Sequence, residues 1–558
     1  MKVKREIKRS RAQESSAAIE QLYISMRHLF NRGYYRPMGV SGLTLRENLI
    51  KLRPEIYGSI ADSKVELNGL LYVIDRLPEG IEACRNINLT SDEGLSASHF
   101  KVIIPKKRRR NCYRIDKDQM VIEITRGRSD IYDILTHLTF IYNESEKIKK
   151  NAWDSEKKET SNDWRKLEKL VERSCDESLS IEEKEQAIAY LSNLTGRTFE
   201  QITKNYQKFS LLENPDRFIE LIFNLGRLAI EEDLLSKKRT ITFSRVLRER
   251  IGHHIYGEKW ANRIKKELYD KGLIDRPLHI ISANMHSVLN SLFAHQVLQK
   301  KLNKQGVNLY KELSSDQNKD LQDKVFETAK KQGMIFLKDN TATNIDVQLF
   351  DTKKIDWSLA SYKKASSEDP VILVMDYAFG EQAFETIDEL LKPFQKDVFS
   401  QTLDVRSISV MGKAGILVGQ KGDIMLANAH VNEGTADNYP FENQLSIKDF
   451  EKDQVNVFQG TMITVIGTSL QNKDILEFFK KSTWKAIGLE MEGAHYQKAI
   501  QAASKIRKSI NPQIKVNFAY YASDNPLETG STLSSGGLGT SGVKPTYLIT
   551  DKILKQIV

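Results

Sequence analysis

The sequence predicts an α/β domain in its C-terminal half, with a mixed, mostly parallel sheet flanked by helices, after a mainly helical, partly α+β N-terminal region. Short apolar runs alternate with helical patterns beyond residue 276, and this alternation is typical of such a sheet. One run, Val371–Met375, is apolar throughout, which indicates a strand buried on both faces. Helical stripes with Lys- and Glu-rich faces dominate residues 131–271 and predict the N-terminal helices.

Changes in pattern along the chain predict three regions. Residues 1–150 are expected to be helical and α+β, because an amphipathic helix near residues 15–31 precedes short β-type runs between residues 100 and 125. Residues 151–275 carry a mainly helical pattern. The pattern changes again at Asp275, Arg276 and Pro277, ahead of an apolar run that begins at Leu278. We therefore expect residues 276–558 to be the α/β domain that carries the site.

The composition narrows the function classes. The chain has 558 residues, more than one hydrophobic core usually serves. Its 84 basic and 74 acidic side chains give a formal charge of +10, which suits an anionic partner such as a nucleotide but is mixed for a polyanion binder. Three scattered cysteines, Cys84, Cys112 and Cys175, argue against a disulfide framework or zinc site. Because no apolar run suits a signal peptide or membrane span, we expect a cytoplasmic protein without a membrane partner.

An uninterrupted basic run lies in a predicted turn between two β-type runs. It begins at Lys106 and ends at Arg110. Five charges at the tip of a hairpin are usually solvated, although they are also able to meet phosphates. Contact with nucleic acid through this run therefore stays open as an alternative.

Four small and polar segments follow predicted strands of the C-terminal half. They are residues 376–380, 412–415, 488–494 and 522–526. In open α/β sheets, ligands bind where the carboxyl ends of strands and their loops converge. We therefore expect these segments to line one cleft.

The order and the sequences of these segments resemble motifs of the nucleoside phosphorylase superfamily, of the purine nucleoside phosphorylase and methylthioadenosine nucleosidase type. The resemblance rests on Glu490-Met491-Glu492, on Ser523-Asp524 about thirty residues later, and on a glycine-rich element at residues 412–415. Residues 523–527 are most similar to the AMP nucleosidase branch. The resemblance covers roughly residues 278–558 and does not reach the N-terminal half.

This resemblance implies cleavage of a purine N-glycosidic bond, with AMP nucleosidase-like hydrolysis to base and ribose 5-phosphate as the leading reaction. Cleavage builds negative charge on the departing base and positive charge on the sugar, so the site needs an acid and fixed hydrogen bonds. By position in the motifs, Asp524 would protonate N7 of the purine, and Glu492 would accept hydrogen bonds from the ribose hydroxyls. The remaining candidates around the sugar and the base are Met491, Glu490, Thr468 and Ser469.

A second group of candidates concerns phosphate and the nucleophile. Glycine lets backbone N–H groups approach a phosphate, because it has no Cβ. The candidates are Gly380, Gly412, Gly415, the cations Lys413 and His430, and His286, which would orient a nucleophile. The resemblance implies no cofactor and no metal, a small-molecule purine partner with phosphate as a further ligand, and a homo-oligomer. A glycine-rich segment at residues 531–542 is expected to be a loop near the ligand.

Two departures from the family pattern leave the reaction open. Hydrolytic members activate water with a carboxylate after the first strand, but residues 282–287 contain no acid. Phosphorolytic members often carry an arginine immediately before the glycine-rich element, where this chain has Ser409, Val410 and Met411. Water and phosphate both remain candidates for the nucleophile. The alternative function is a catalytically weak or inactive nucleotide-binding, signalling protein whose N-terminal half binds a protein or RNA partner.

Overall fold

The structure is a computed structural model that describes residues 10–174, 179–211, 213–302, 306–364, 367–529 and 539–558. Cys175 and most of the glycine-rich segment at residues 531–542 lie outside the described residues. Contacts divide the chain into two compact units. The first unit holds the chain up to Thr125 together with Asp130–Gly252 and Ser469–Asn472. The second unit holds Arg126–Ser129, His253–Thr468 and Lys473–Val558.

Helices and short strands alternate in the first unit. In chain order they are α1 (Arg11–Arg32), β1 (Tyr34–Tyr35), α2 (Val40–Leu52), α3 (Leu67–Ile74), β2 (Asn86–Thr90), β3 (Val102–Ile103), β4 (Cys112–Arg114), β5 (Gln119–Glu123), α4 (Arg128–Ala152), β6 (Trp153–Asp154), β7 (Glu159–Thr160), α5 (Asn162–Ser174), α6 (Ile181–Thr195), α7 (Phe199–Phe209), α8 (Arg217–Leu234), β8 (Thr240–Phe243) and α9 (Arg245–Gly252). Among the described residues, six of these strands form one sheet in the order β1-β8-β2-β5-β4-β3. The β-type runs predicted between residues 100 and 125 are β3, β4 and β5, whereas β8 lies in the stretch predicted to be helical. β8 forms because it pairs with β1 on one side and β2 on the other, and such distant pairing leaves little local signal.

Local sequence sets several helix ends. α1 begins after Ser10, whose hydroxyl and the side chain of Gln13 form a reciprocal capping box, and it ends at Gly33 with a left-handed φ of 92°. Ser180 and Glu183 form the same box at the start of α6. Within the described part of the chain, none of the helices has the length and apolar character that crossing a bilayer requires.

The second unit is built around a large sheet. Its elements in chain order are α10 (Ile255–Asp270), β9 (Leu278–Ser282), α11 (Ser287–Leu302), α12 (Gly306–Leu313), α13 (Lys319–Lys331), β10 (Met334–Leu337), β11 (Val347–Asp351), β12 (Val371–Met375), α14 (Gln382–Leu390), β13 (Phe394–Lys396), β14 (Phe399–Gln401), β15 (Val405–Ile416), β16 (Ile424–Asn432), β17 (Asn438–Pro440), β18 (Val457–Thr464), α15 (Lys473–Lys481), β19 (Gly488–Glu490), α16 (Gly493–Gln501), β20 (Lys515–Asp524), α17 (Pro526–Thr529) and α18 (Val543–Lys555). The predicted mixture of helices and sheet is confirmed in this unit.

The sheet follows the order β10-β11-β12-β9-β15-β19-β18-β16-β17, and β20 pairs with both β15 and β16. The strands β15, β19, β18, β16 and β20 therefore pair in a closed ring. The sheet is mixed, as expected, but it is not mostly parallel. Among the described strands of this sheet, five pairings are parallel and five are antiparallel. The antiparallel ones are three pairs of consecutive strands, β10-β11, β11-β12 and β16-β17, and two pairs within the ring, β15-β19 and β16-β20.

The apolar strand β12 separates two hydrophobic cores, one on each face of the sheet. Val371, Leu373 and Met375 pack into the first core. Ile372 and Val374 pack into the second. Because side chains alternate along a strand, this arrangement confirms the prediction of burial on both faces.

The glycine-rich element is part of a strand, which differs from the loop that the sequence predicts at residues 412–415. β15 continues through these residues to Ile416. Its pairing with β20 runs on from Gly412 opposite Tyr520 to Gly415 opposite Asp524, with one irregularity after Ala414. Pairing with β20 extends β15 through these residues, and local sequence does not reveal that partner.

Candidate functional site

The candidate residues come from strand ends that meet on the ring. Gly415 of β15 pairs with Leu489 of β19 and also with Asp524 of β20. Thr464, at the end of β18, pairs with Glu490, at the end of β19. The structure therefore brings the glycine-rich element, the Glu-Met-Glu motif and the Ser-Asp motif to neighbouring strand ends.

Glu490 points inward and holds the start of α16. Its Oε1 accepts a hydrogen bond from Thr464 Oγ1 at 2.5 Å, and its Oε2 accepts from the backbone N–H of Glu492 at 2.5 Å and from that of Gly493. A carboxylate in this position satisfies N–H groups that a helix start leaves without intrahelical partners. Glu490 is buried, and burial raises its pKa. These contacts make Glu490 a positioning residue for Glu492.

Glu492 is half-buried and anchored through both carboxylate oxygens. Oε1 accepts a hydrogen bond from the backbone N–H of Gly380 at 3.1 Å, and Oε2 accepts from that of Met491 at 3.3 Å. Burial, followed by the neighbouring carboxylate of Glu490, raises the pKa of Glu492. The two N–H donors and the nearby ammonium group of Lys413 oppose this rise. The two backbone N–H groups thus hold both oxygens of the carboxylate in place.

Gly380 allows the close approach that Glu492 requires. Its φ of +55° lies in the left-handed region, and an added Cβ would lie under 3.0 Å from Ser129 Oγ. Ser129 Oγ in turn accepts a hydrogen bond from the backbone N–H of Glu381 at 2.9 Å. A side chain at position 380 would therefore disturb the turn that presents the N–H group to Glu492.

Asp524 is half-buried at the end of β20. The hydroxyl of Ser523 hydrogen-bonds Asp524 Oδ1 and lies 3.1 Å from the carbonyl oxygen of Ala414. Asn525 Nδ2 donates to the carbonyl oxygen of Gly419 at 2.8 Å. These contacts fix Asp524 against β15 and the turn that follows it.

His430 is fully buried in an aromatic cluster. Its Nε2 lies 2.9 Å from the hydroxyl oxygen of Tyr520, and its ring stacks on Phe441 with centroids 5.3 Å apart. Burial lowers the pKa of His430 to about 3, so the imidazole is neutral at pH 7. Sequence analysis named His430 as a phosphate cation, and this environment gives it neither a charge nor an accessible surface.

The loop after β9 contains polar groups other than acids. Asn284 Oδ1 accepts hydrogen bonds from the backbone N–H groups of His286 at 3.2 Å and Ser287 at 2.8 Å, which caps α11. The side chain of Tyr377 hydrogen-bonds Asn284. Partial burial lowers the pKa of His286, and the nearby carboxylate of Asp376 opposes this effect.

The remaining candidates have different surroundings. Gly412 is open enough that an added Cβ would meet only the ring of Tyr377, at 3.7 Å, and Lys413 is exposed. Met491 and Thr468 are half-buried in the second unit. Ser469 is buried and belongs to the first unit, where it hydrogen-bonds the side chain of Tyr57. The structure thus groups Ser469 with a different unit from the other candidates.

A short segment that the motifs did not include, Arg126–Ser129, belongs to the second unit. Ser129 and Gly127 pack against the turn at Gly380 and against α14. The sequence signal was Arg-Gly-Arg-Ser, which runs into the start of α4 and combines two cations with a glycine turn and a hydroxyl. Because the segment lies in the N-terminal half, the motifs gave no reason to connect it with the site.

Metal ligands are not grouped in the residues that the structure describes. Among them, no three His, Cys, Asp or Glu side chains form a cluster that suits an ion. Glu490 and Glu492 instead accept hydrogen bonds from backbone N–H groups.

The basic run at residues 106–110 lies between β3 and β4, as expected for a turn. Its charges differ from the solvated tip that the sequence predicts, because Arg108 forms two hydrogen bonds with Asp133, at 2.7 and 2.8 Å. Arg110 is buried and pairs with both Asp130 and Asp133. The ammonium group of Lys106 also lies 4.0 Å from the carboxylate of Asp75. Lys106, Arg108 and Arg110 therefore all form ion pairs within the first unit, which reduces the positive charge that the run presents to a polyanion.

We predict that Glu385→Gln raises the melting temperature more at pH 8.5 than at pH 5.5. Glu385 on α14 is buried, and burial followed by the carboxylate of Glu381 raises its pKa to about 8. The folded protein therefore keeps a proton that the unfolded chain releases above pH 4.5, so this group's contribution to stability falls as pH rises from about 4.5 to about 8. The neutral amide removes that dependence. Thermal melts at both pH values measure it, with the exposed Glu327→Gln as control; equal shifts at both pH values would contradict the assignment.

No curated protein matches this chain. Solved structures that resemble part of it include a 5′-methylthioadenosine/S-adenosylhomocysteine nucleosidase from Campylobacter jejuni, at 12% identity over 50% of this chain and 97% of that one, with a TM-score of 0.30. A futalosine hydrolase from Helicobacter pylori matches at 12% identity, covering 50% and 99%, with a TM-score of 0.29. A uridine phosphorylase from Schistosoma mansoni matches at 13% identity, covering 52% and 91%, with a TM-score of 0.32. Likeness at this level carries no argument about function by itself.

One family matches most of the chain. It is described as a family of unknown function, DUF6909, and it matches residues 43–305 and 306–558. The two matches together span both units of the structure. The chain belongs to the DUF6909 family.

Proposed function

We propose that the second unit cleaves the N-glycosidic bond of a purine nucleotide or nucleoside, with hydrolysis of AMP to adenine and ribose 5-phosphate as the leading reaction. One observation carries this proposal. Glu492, anchored by Gly380, lies two residues after β19, and Asp524, fixed by Ser523, ends β20; both strands pair with Gly415. Two carboxylates in different surroundings are suited to divide sugar binding from proton donation.

In this proposal each carboxylate has one task. Glu492 accepts hydrogen bonds from the ribose hydroxyls, and the positive charge of Lys413 favours its ionised form. Asp524, protonated, donates to N7 of the purine as the bond to the sugar breaks. Glu490 fixes the start of α16 and so holds Glu492 in position.

The nucleophile is water or phosphate. The groups proposed to orient it are the hydroxyl of Tyr377, whose ring lies beside Gly412, and His286, which lies close to Asp376. A general base must reach the proton that it removes, and His286 with its neighbouring carboxylate has the chemistry for that role. Residues 282–287, which follow β9, contain no acid that would activate water.

Base release tests the proposal. Purified protein is incubated with AMP, adenosine and inosine, with and without inorganic phosphate, and free base is measured by chromatography. We expect free adenine from AMP at a rate that does not depend on added phosphate. A rate that requires phosphate would make the reaction phosphorolysis, and absence of free base from all three substrates would refute the catalytic proposal.

A nucleotide-binding protein without turnover is the second candidate function. It is favoured by the loop after β9, where Asn284 caps α11 and the described residues 282–287 present no carboxylate to water. In that case AMP or adenosine would raise the melting temperature while no base appears. The same samples therefore distinguish the two functions.

A further inference from the structure

The segment Arg126–Ser129 packs directly onto the turn that anchors Glu492. Ser129 Oγ accepts the N–H of Glu381 at 2.9 Å and occupies the space that a Cβ on Gly380 would need. Gly127 has a left-handed φ of +78°, and an added Cβ there would lie 3.3 Å from the backbone nitrogen of Gln382. Two glycines thus allow two backbones to approach closely. One residue of the turn, Gly380, separates this segment from the carboxylate proposed to hold the ribose.

Two arginines of this segment flank the turn. The guanidinium of Arg126 lies 4.9 Å from the ring centroid of Phe379, the residue before Gly380. Arg128 pairs with Glu381, the residue after it, at 3.2 Å. A guanidinium carries five N–H donors in a planar fork that matches the geometry of a phosphate group. The turn therefore lies between two groups of the type that proteins use for phosphate.

The other cations named for a phosphate are less suited to this role. His430 is neutral and enclosed by aromatic rings. Lys413 is exposed on β15, and it lies near enough to Glu492 to favour the ionised form of that carboxyl, which suits the sugar side of the proposed site. In a nucleoside 5′-monophosphate the phosphate is carried by a methylene group beyond the ribose ring, so its cation must lie next to the group that binds the sugar.

We propose that Arg126 and Arg128 bind the 5′-phosphate of a purine nucleoside monophosphate whose ribose hydroxyls lie on Glu492. This inference rests on the proposed function, and it gives the N-terminal half of the chain a direct part in substrate selection. The guanidinium of Arg126 stacks on Phe379 and is buried, which strengthens its interaction with an anion. Arg128, held by Glu381, supplies the second set of donors.

The test compares AMP with adenosine in the full chain. Arg126→Ala and Arg128→Ala should each lower the ratio of kcat/KM for AMP to kcat/KM for adenosine by roughly 10- to 100-fold, the loss expected for a charged hydrogen-bonding group. Arg507→Ala is the matched control, because Arg507 also pairs with a carboxylate of the second unit, Asp388, at 2.7 Å. That variant should leave the ratio unchanged. Arg128→Lys should recover part of the ratio, because it keeps the charge without the fork.

Three outcomes would overturn the proposal. Equal losses for AMP and adenosine would show that the arginines only maintain the turn. If the variants lost activity only toward adenosine in the presence of inorganic phosphate, the two arginines would instead bind a phosphate nucleophile. If the wild-type protein releases no base, the proposed catalysis fails, and calorimetric affinities for AMP and adenosine test the subsite separately. In that case equal affinities for AMP and adenosine would refute the phosphate subsite, whereas a selective loss of AMP binding in Arg126→Ala would support it.

Discussion

Asp524→Asn is expected to lower base release from AMP by roughly 100- to 10,000-fold, the usual contribution of a general acid. The amide donates a hydrogen bond to N7 but has no proton to transfer, so the departing base keeps its negative charge. Substrate binding should change much less, because the two side chains have nearly the same shape. Initial rates of adenine release and the calorimetric affinity for AMP measure the two effects.

Two variants control this experiment. Asp404→Asn changes an exposed aspartate of the second unit that pairs with Arg406, and it should leave base release unchanged. Ser523→Ala removes the hydroxyl that hydrogen-bonds Asp524 and should cause a smaller loss than Asp524→Asn. If Asp524→Asn retained the wild-type rate, the base would leave without this acid and the assignment would be wrong.

Gly493→Ala is expected to lower the free energy of unfolding by about 1–3 kcal/mol, the range for overpacking a filled core. An added Cβ would lie under 3.0 Å from the ring of His430 and 2.7 Å from the hydroxyl of Tyr520. Both neighbours are buried, so neither is able to move aside into solvent. The start of α16 would have to shift, and Glu492 with it. Thermal melts measure the loss of stability, and AMP affinity measures the displacement of Glu492.

Gly412→Ala is the matched control for stability. Its Cβ would meet only the ring of Tyr377 at 3.7 Å, which is an ordinary contact distance. We therefore expect its melting temperature to stay close to that of the wild type. Equal melting temperatures for Gly493→Ala and the wild type would contradict the tight packing described around His430.

Local sequence patterns were sufficient to predict those features that neighbouring residues determine. The unbroken apolar run of β12 predicted burial on both faces, and its side chains do alternate between two cores. The motifs also predicted that the segments of Glu492 and Asp524 would line one cleft, and the strands that lead to them, β19 and β20, both pair with Gly415. Whether these carboxylates act on a substrate stays a prediction.

Long-range contacts explain what the sequence did not reveal. The glycine-rich element became the end of β15 because β20 pairs alongside it, and β8 formed within a helical stretch because two strands flank it. The side chain of Glu490 points inward, where it accepts a hydrogen bond from Thr464, 26 positions earlier in the chain. The contact of Ser129 with Glu381 spans 252 positions, so no local pattern could connect that segment with the site.

The proposed function requires a purine nucleotide to bind between Glu492 and Asp524. The most direct measurement is a crystal structure of the protein with an AMP analogue whose base is joined to the ribose by a carbon–carbon bond, which the reaction is unable to cleave. We expect the ribose hydroxyls within hydrogen-bond distance of Glu492 and the purine N7 position within hydrogen-bond distance of Asp524. An analogue bound elsewhere, or with its base turned away from Asp524, would contradict the proposed function.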